Sequence, residues 1–136
     1  MRGRCLKLFF AIMLIMLIGA PLSWAKETAF GYIIAYSYRD KSVYHTPIIS
    51  QKVKGKSFSD EEYVSNTALI QDMERSFEDY LRTNLKVKSR DLTVSARPTY
   101  KTEEIAKDKS DKEVGNFRFK GFKITFVPDY EYSRED

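Results

Sequence analysis

Residues 59–85 read SDEEYVSNTALIQDMERSFEDYLRTNL, and the pattern in this stretch decides the fold. Ile70, Met73, Phe77, Tyr80 and Leu81 recur at i, i+3, i+7, i+10 and i+11, one apolar stripe at the helical period. Asp72, Glu74, Arg75, Glu78, Asp79 and Arg82 occupy the other side, and Glu78 and Arg82 form an i, i+4 pair in the favourable orientation. Ser59 followed by Glu62 has the form of a capping box, and Asp60 and Glu61 put negative charge at the positive end of the helix dipole. Lys86, Lys88 and Arg90 complement the other end. The expectation is one helix of about 39 Å at 1.5 Å per residue, weakened in its first third by Ser65-Asn66-Thr67.

On either side of this helix the period changes to two. Residues 29–38, AFGYIIAYSY, place Phe30, Tyr32, Ile34, Tyr36 and Tyr38 on one face, and Ala29, Gly31, Ile33, Ala35 and Ser37 on the other. Arg39–Ser42 suits a hairpin turn, and Val43–Val53 reads as the returning strand. Pro47 lacks an N–H, so that strand is expected at an edge or interrupted there. A third strand spans Asp91–Arg97, to be stopped or bent by Pro98. Residues 99–116 are charged and poor in core residues, which suits a loop or a short helix beginning near Thr102-Glu103-Glu104. Phe117–Val127 reads as a fourth strand whose apolar parity switches at Gly121, as a bulge would cause. Residues 129–136 read as a flexible tail. The expected architecture is α+β: one long amphipathic helix on a small, mostly antiparallel four-stranded sheet in the order β-β-α-β-β, a single domain over 26–128.

Residues 1–25 stand apart. Arg2, Arg4 and Lys7 precede an apolar run from Leu8 to Gly19, and Ser23 and Ala25 occupy the −3 and −1 positions of a cleavage site. These are the three parts of a secretory signal peptide, and the run falls short of the ~20 residues of a spanning helix. Export to the periplasm or the medium is the expectation, with no stable membrane anchor after cleavage. Of 23 Lys+Arg and 19 Asp+Glu, the leader holds three cations, so the remaining 111 residues carry 20 against 19, a net of +1. The sequence pI of about 9.1 therefore gives no reason to expect a nucleic-acid partner. The single cysteine, Cys5, lies in the leader, so the exported chain is expected to lack disulfides and cysteine chemistry.

The inventory of reactive groups is thin. His45, the one histidine, sits mid-strand. No serine stands in a Gly-x-Ser-x-Gly elbow, no ligands recur at metal spacing, and no glycine-rich phosphate loop is present. Neither cofactor nor metal is expected. The carboxylates at Glu61-Glu62 and Glu103-Glu104 do not converge locally, and Lys52–Lys56 and Lys86–Arg90 flank opposite ends of the expected helix. The aromatic row of the first strand remains. Burying it contributes more than burying Ala and Gly, which favours the Phe/Tyr side beneath the helix, against Met73 and Phe77. In the opposite arrangement Phe30, Tyr32, Tyr36 and Tyr38 are left for a partner, a role suited to tyrosine. The function expected is a small exported protein-binding module without catalysis: an inhibitor, an immunity-type or an envelope accessory protein. It would act through a sheet face or edge on another protein or a second copy of itself. A homodimeric structural subunit and a carboxylate-dependent hydrolase are the alternatives.

Overall fold

The first strand, β1 (Lys26–Ser37), is the spine of the molecule. In the computed structural model, which describes residues 26–134, it runs through the middle of a five-stranded sheet. The expected leader over 1–25 lies outside the described residues. One side of β1 pairs antiparallel with β4 (Thr93–Tyr100). The other side takes two short strands end to end, β3 (Ile49–Lys54) against residues 26–31 and β2 (Ser42–His45) against residues 34–37. β5 (Lys123–Phe126) joins β2 in parallel. The returning strand is thus split in two around Pro47, and Thr46 fills the gap. Its Oγ1 accepts from the Ile33 N–H at 2.9 Å, and its own N–H donates to the Ile33 carbonyl at 3.1 Å. Both polar groups of a fully buried residue are satisfied where a proline has broken the ladder.

Gly31 explains how β4 can lie so close. Between Phe30↔Tyr100 and Tyr32↔Arg97 the register shifts, so β4 carries an extra residue opposite Gly31. A Cβ on Gly31 would stand 2.2 Å from the Arg97 carbonyl oxygen and 2.5 Å from Pro98 Cα. Pro98 sits in this bulge, and the strand continues past it to Tyr100.

The fold is α+β, with a mixed sheet and two helices. The first, α1 (Thr67–Asn84), is shorter than the sequence suggests. Asn66 is its N-cap, with Oδ1 accepting from Ala68 N at 3.0 Å and Leu69 N at 3.4 Å. Ser59 does cap: its Oγ accepts from the amides of Glu61 and Glu62, but there it closes an exposed turn. That turn bridges Ser57 to Tyr63 and covers the end of β4 through Tyr63 N–H to Thr99 O and Lys101 N–H to Glu61 O. The buried stripe of α1 is Leu69, Met73, Phe77 and Leu81. Ile70 and Tyr80 flank it half-buried. Each buried side chain contributes about 1.5–3 kcal/mol relative to exposure.

The stripe packs on the small-residue side of β1, with Ile33, Ala35, Ile49 and Ala96. The expectation that the aromatic row lies under this helix with Phe77 and Met73 is therefore corrected. Tyr130 joins this core instead. It is 4% exposed, packs edge-on to Phe77 and Tyr80, and donates to Ser76 Oγ at 2.9 Å. With Tyr132 donating to Asp72 at 2.6 Å, the segment after β5 is laid along α1 rather than left loose.

A second helix, α2 (Glu103–Phe119), occupies most of the stretch read as a charged loop or short helix and the start of the expected fourth strand. Thr102 caps it through Oγ1 to Ile105 N, and Glu103 and Glu104 fill its first turn. It ends in a Schellman motif. Phe122 N–H reaches Phe117 O, Gly121 N–H reaches Arg118 O, and Gly121 takes φ +86°. The parity switch at Gly121 is a change from helix to strand, not a bulge. The sheet is covered on both faces.

Candidate functional site

α2 covers the aromatic side of β1. Its inward residues are Ala106, Ser110, Val114 and Phe117, three small or medium side chains and one ring. The sheet opposite supplies the bulk. Tyr32 and Tyr100 stack with centroids 6.2 Å apart, and Tyr36 meets Phe117 at 5.1 Å. Large sheet residues against small helix residues fill one layer. Tyr32, 2% exposed, donates from its hydroxyl to Glu113 Oε2 at 2.8 Å. Burial, then the Glu113 carboxylate, push its phenol far above the ordinary range, so it is a neutral donor at any physiological pH.

The residues named as a partner surface therefore separate. Tyr32 is beneath α2, Phe30 and Tyr36 are half-buried, and Tyr38 is 56% exposed, its ring edge-on to Phe122 at 5.2 Å. The row continues across the sheet on the same face through Val43 and His45 of β2 to Ile124 and Phe126 of β5. Here the cover ends. Phe126 is 52% exposed, its ring 5.1 Å from His45. Desolvation first, then the Arg118 charge, lower the His45 pKa below its ordinary value, while Asp111 opposes them. Both charged residues belong to α2, so His45 and Phe126 form an apolar shelf overlooked by one cation and one anion.

The backbone beside this shelf is open. Lys123 N–H donates to Lys41 O and Val127 N–H to His45 O. Alternation along a strand then turns the polar groups of Ile124 and Phe126 to the outer side, where no described strand pairs with them. The other free edges are different. β3 presents exposed Lys52 and Lys54, and β4 carries the Pro98 bulge and the 57–63 turn. Charge, bulges and covering turns are the usual protection of sheet edges.

Among the described residues, no group of three or more His, Cys, Asp or Glu is placed to hold a metal ion. A depression of about 350 Å³ along α2 does gather carboxylates, Glu61, Glu104, Asp108 and Asp111, between lysines. All four are exposed, Glu61 is paired with Lys109 at 3.0 Å and Asp108 with Lys112 at 3.3 Å. A glycosidase-type pair needs one desolvated acid, and these are wet. Also among the described residues, no helix is long and apolar enough to cross a membrane. Phe126 is not legible as a site residue in the sequence, where Phe117–Val127 reads as one continuous strand. Comparison with protein-family models, with curated proteins and with solved structures finds no match to this chain.

Proposed function

We propose that this protein is a non-catalytic binding module that takes an extended segment of another protein onto the outer edge of β5. The observation that carries the reading is the combination of an unprotected backbone edge with an exposed Phe126 on the shelf beside it. A strand added there gains main-chain hydrogen bonds for affinity, and its alternate side chains meet Ile124, Phe126 and His45 for selectivity. Arg118 and Asp111 above the shelf offer a charge of either sign to the incoming segment. Export, expected from the leader, would place the encounter in the envelope or outside the cell. α1 and α2 cover most of the two sheet faces, which favours the edge within the face-or-edge expectation.

The test compares wild type with Ile124→Pro, which deletes an outward N–H, and with Phe126→Asp. Partners captured from the cell envelope by wild type are expected to be lost by both variants with the fold retained by circular dichroism, Ile124→Pro giving up some stability because Ile124 is half-buried against the Tyr32 cluster. Addition of the captured partner is expected to slow hydrogen exchange at the amides of residues 124 and 126. Capture unaffected by either substitution would overturn the reading. A second copy is the competing occupant, since two β5 edges related by a two-fold axis would extend the sheet. Size-exclusion chromatography showing a dimer that Ile124→Pro dissolves would favour that reading.

A further inference from the structure

The opposite use of charge appears at the end of the molecule where β1 turns into β2. Three chain segments far apart in sequence are tied together there. Asp91 Oδ1 accepts from Ser37 Oγ at 2.6 Å and Oδ2 from the Arg39 amide at 3.0 Å, joining the loop after α1 to the hairpin tip. Ser89 Oγ donates to Asp40 and adds a second tie. Lys123 N–H donates to Lys41 O at 2.8 Å and brings the end of α2 alongside.

The charge of these segments is lopsided. Residues 38–41, 88–91 and 119–123 hold six Lys or Arg and two Asp, a net of +4. Three of the remaining cations belong to the leader over 1–25, so the remainder of residues 26–136 has 14 Lys+Arg against 17 Asp+Glu, a net of −3. Within residues 26–136 the excess of positive charge therefore lies at this end. Both aspartates there are consumed by the internal hydrogen bonds just described, and those bonds hold the Asp91 carboxyl below its ordinary pKa, Ser37 contributing most. The cations are all exposed. Among them stand two exposed aromatics, Tyr38 and Phe119, the latter 94% exposed with an apolar ring turned into water. Phe119 lies one residue from the Lys120 ammonium, which sits 5.9 Å from the buried Phe117 ring. Sequence separation hid this surface: Arg39, Lys88 and Lys120 belong to three different elements.

Cations spread over a surface match anionic phosphates, and each near an anionic bilayer strengthens binding by roughly a factor of five. A fully exposed phenylalanine with a tyrosine beside it is what a headgroup–acyl boundary accommodates. An acidic protein surface or a nucleic-acid duplex would satisfy the charges but offers no apolar layer to receive Phe119. We infer that the end formed by residues 38–41, 88–91 and 119–123 docks reversibly on an anionic phospholipid surface, with Phe119 inserted among the headgroups. This contact is separate from the β5 edge and leaves Ile124 and Phe126 free, so either can fail without the other.

The test uses the full chain with Trp24→Phe, so that one reporter tryptophan can be read. Phe119→Trp places it at the proposed contact, and Phe58→Trp places it at the 57–63 turn near the other end of β1, where Phe58 is 72% exposed. Vesicles containing phosphatidylglycerol are expected to shift the emission of Phe119→Trp to the blue and leave Phe58→Trp unchanged. Pure phosphatidylcholine is expected to shift neither, and 0.5 M salt to abolish the response, since screening shortens the reach of surface charge. Arg39→Gln, Lys88→Gln and Lys120→Gln combined are expected to weaken vesicle binding about a hundred-fold. If circular dichroism shows that triple variant unfolded, Lys88→Gln and Lys120→Gln separately, each expected to lose about five-fold, decide the matter. Equal shifts on both lipids, or equal shifts of both reporters, would mean that the leader or non-specific adsorption drives binding, and would overturn the inference. So would tighter binding to a single-stranded oligonucleotide than to the anionic vesicles at equal phosphate concentration.

Discussion

Replacing Gly31 by alanine tests the crossing of β1 and β4 where the sheet is tightest. The added methyl would meet the Arg97 carbonyl oxygen at 2.2 Å, Pro98 Cα at 2.5 Å and the Arg97 carbonyl carbon at 2.9 Å. All three are backbone atoms in a bulge, so no rotamer change relieves the contact. Overpacking a core costs about 1–3 kcal/mol where side chains can adjust, and an immovable neighbour puts this site at the upper end, about 3 kcal/mol. For a domain of this size that lowers Tm by roughly 10–20 °C. Gly115 supplies the control. It lies inside α2 with nothing within 4 Å of a built Cβ, so Gly115→Ala is expected to stabilise by about 0.5–1 kcal/mol through helix propensity. Urea unfolding followed by circular dichroism reads both, with m unchanged if the end states are the same. Opposite signs for the two alanines are the expected result. A loss below about 1 kcal/mol for Gly31→Ala would refute the close approach of β4.

Other substitutions reach other parts of the structure. Phe77→Ala, fully buried among α1, the sheet and Tyr130, is expected to cost about 3–5 kcal/mol in the same unfolding assay. Asn66→Ala is expected to cost about 1 kcal/mol as a lost helix cap, whereas Ser59→Ala should leave the helical signal of α1 unchanged. His45, whose folded pKa lies below the unfolded 6.5, is expected to make stability fall as pH drops from 6.5 through the folded value, because the unfolded chain binds the proton first. His45→Phe should flatten that part of a pH–stability curve.

The 3.6 stripe around Met73 and Phe77 is strong because α1 buries large residues on one side only, whereas β1 is buried on both faces and its period of two shows because rings stand on one face and mostly small residues on the other. The start of α1 was misread because Ser59 has real capping chemistry, used to close a turn; nothing local distinguishes that turn from a helix N-terminus. α2 was harder to see because Tyr32 and Tyr100 already fill the space beneath it, so its buried positions are Ala106, Ser110 and Val114, which carry little hydrophobic signal. Its ends were legible, in Thr102 with two glutamates and in Gly121. The docking of Tyr130 on Phe77 is a long-range contact that no local pattern encodes. For the candidate site, the aromatic row of β1 was visible as a row, but which of its members stay accessible depends on α2. Phe126 and the charged end arise from pairings between elements distant in the chain.

The architecture rests most on α2 lying over the tyrosine face. Nuclear Overhauser contacts measured in solution test this directly. The structure predicts helical i, i+3 contacts through residues 103–119 and ring-to-ring contacts between Tyr36 and Phe117, whose centroids are 5.1 Å apart. Cross-strand Hα–Hα contacts at residues 117–119, with no contact from Phe117 to Tyr36, would show a strand there and an uncovered tyrosine face, and would contradict it.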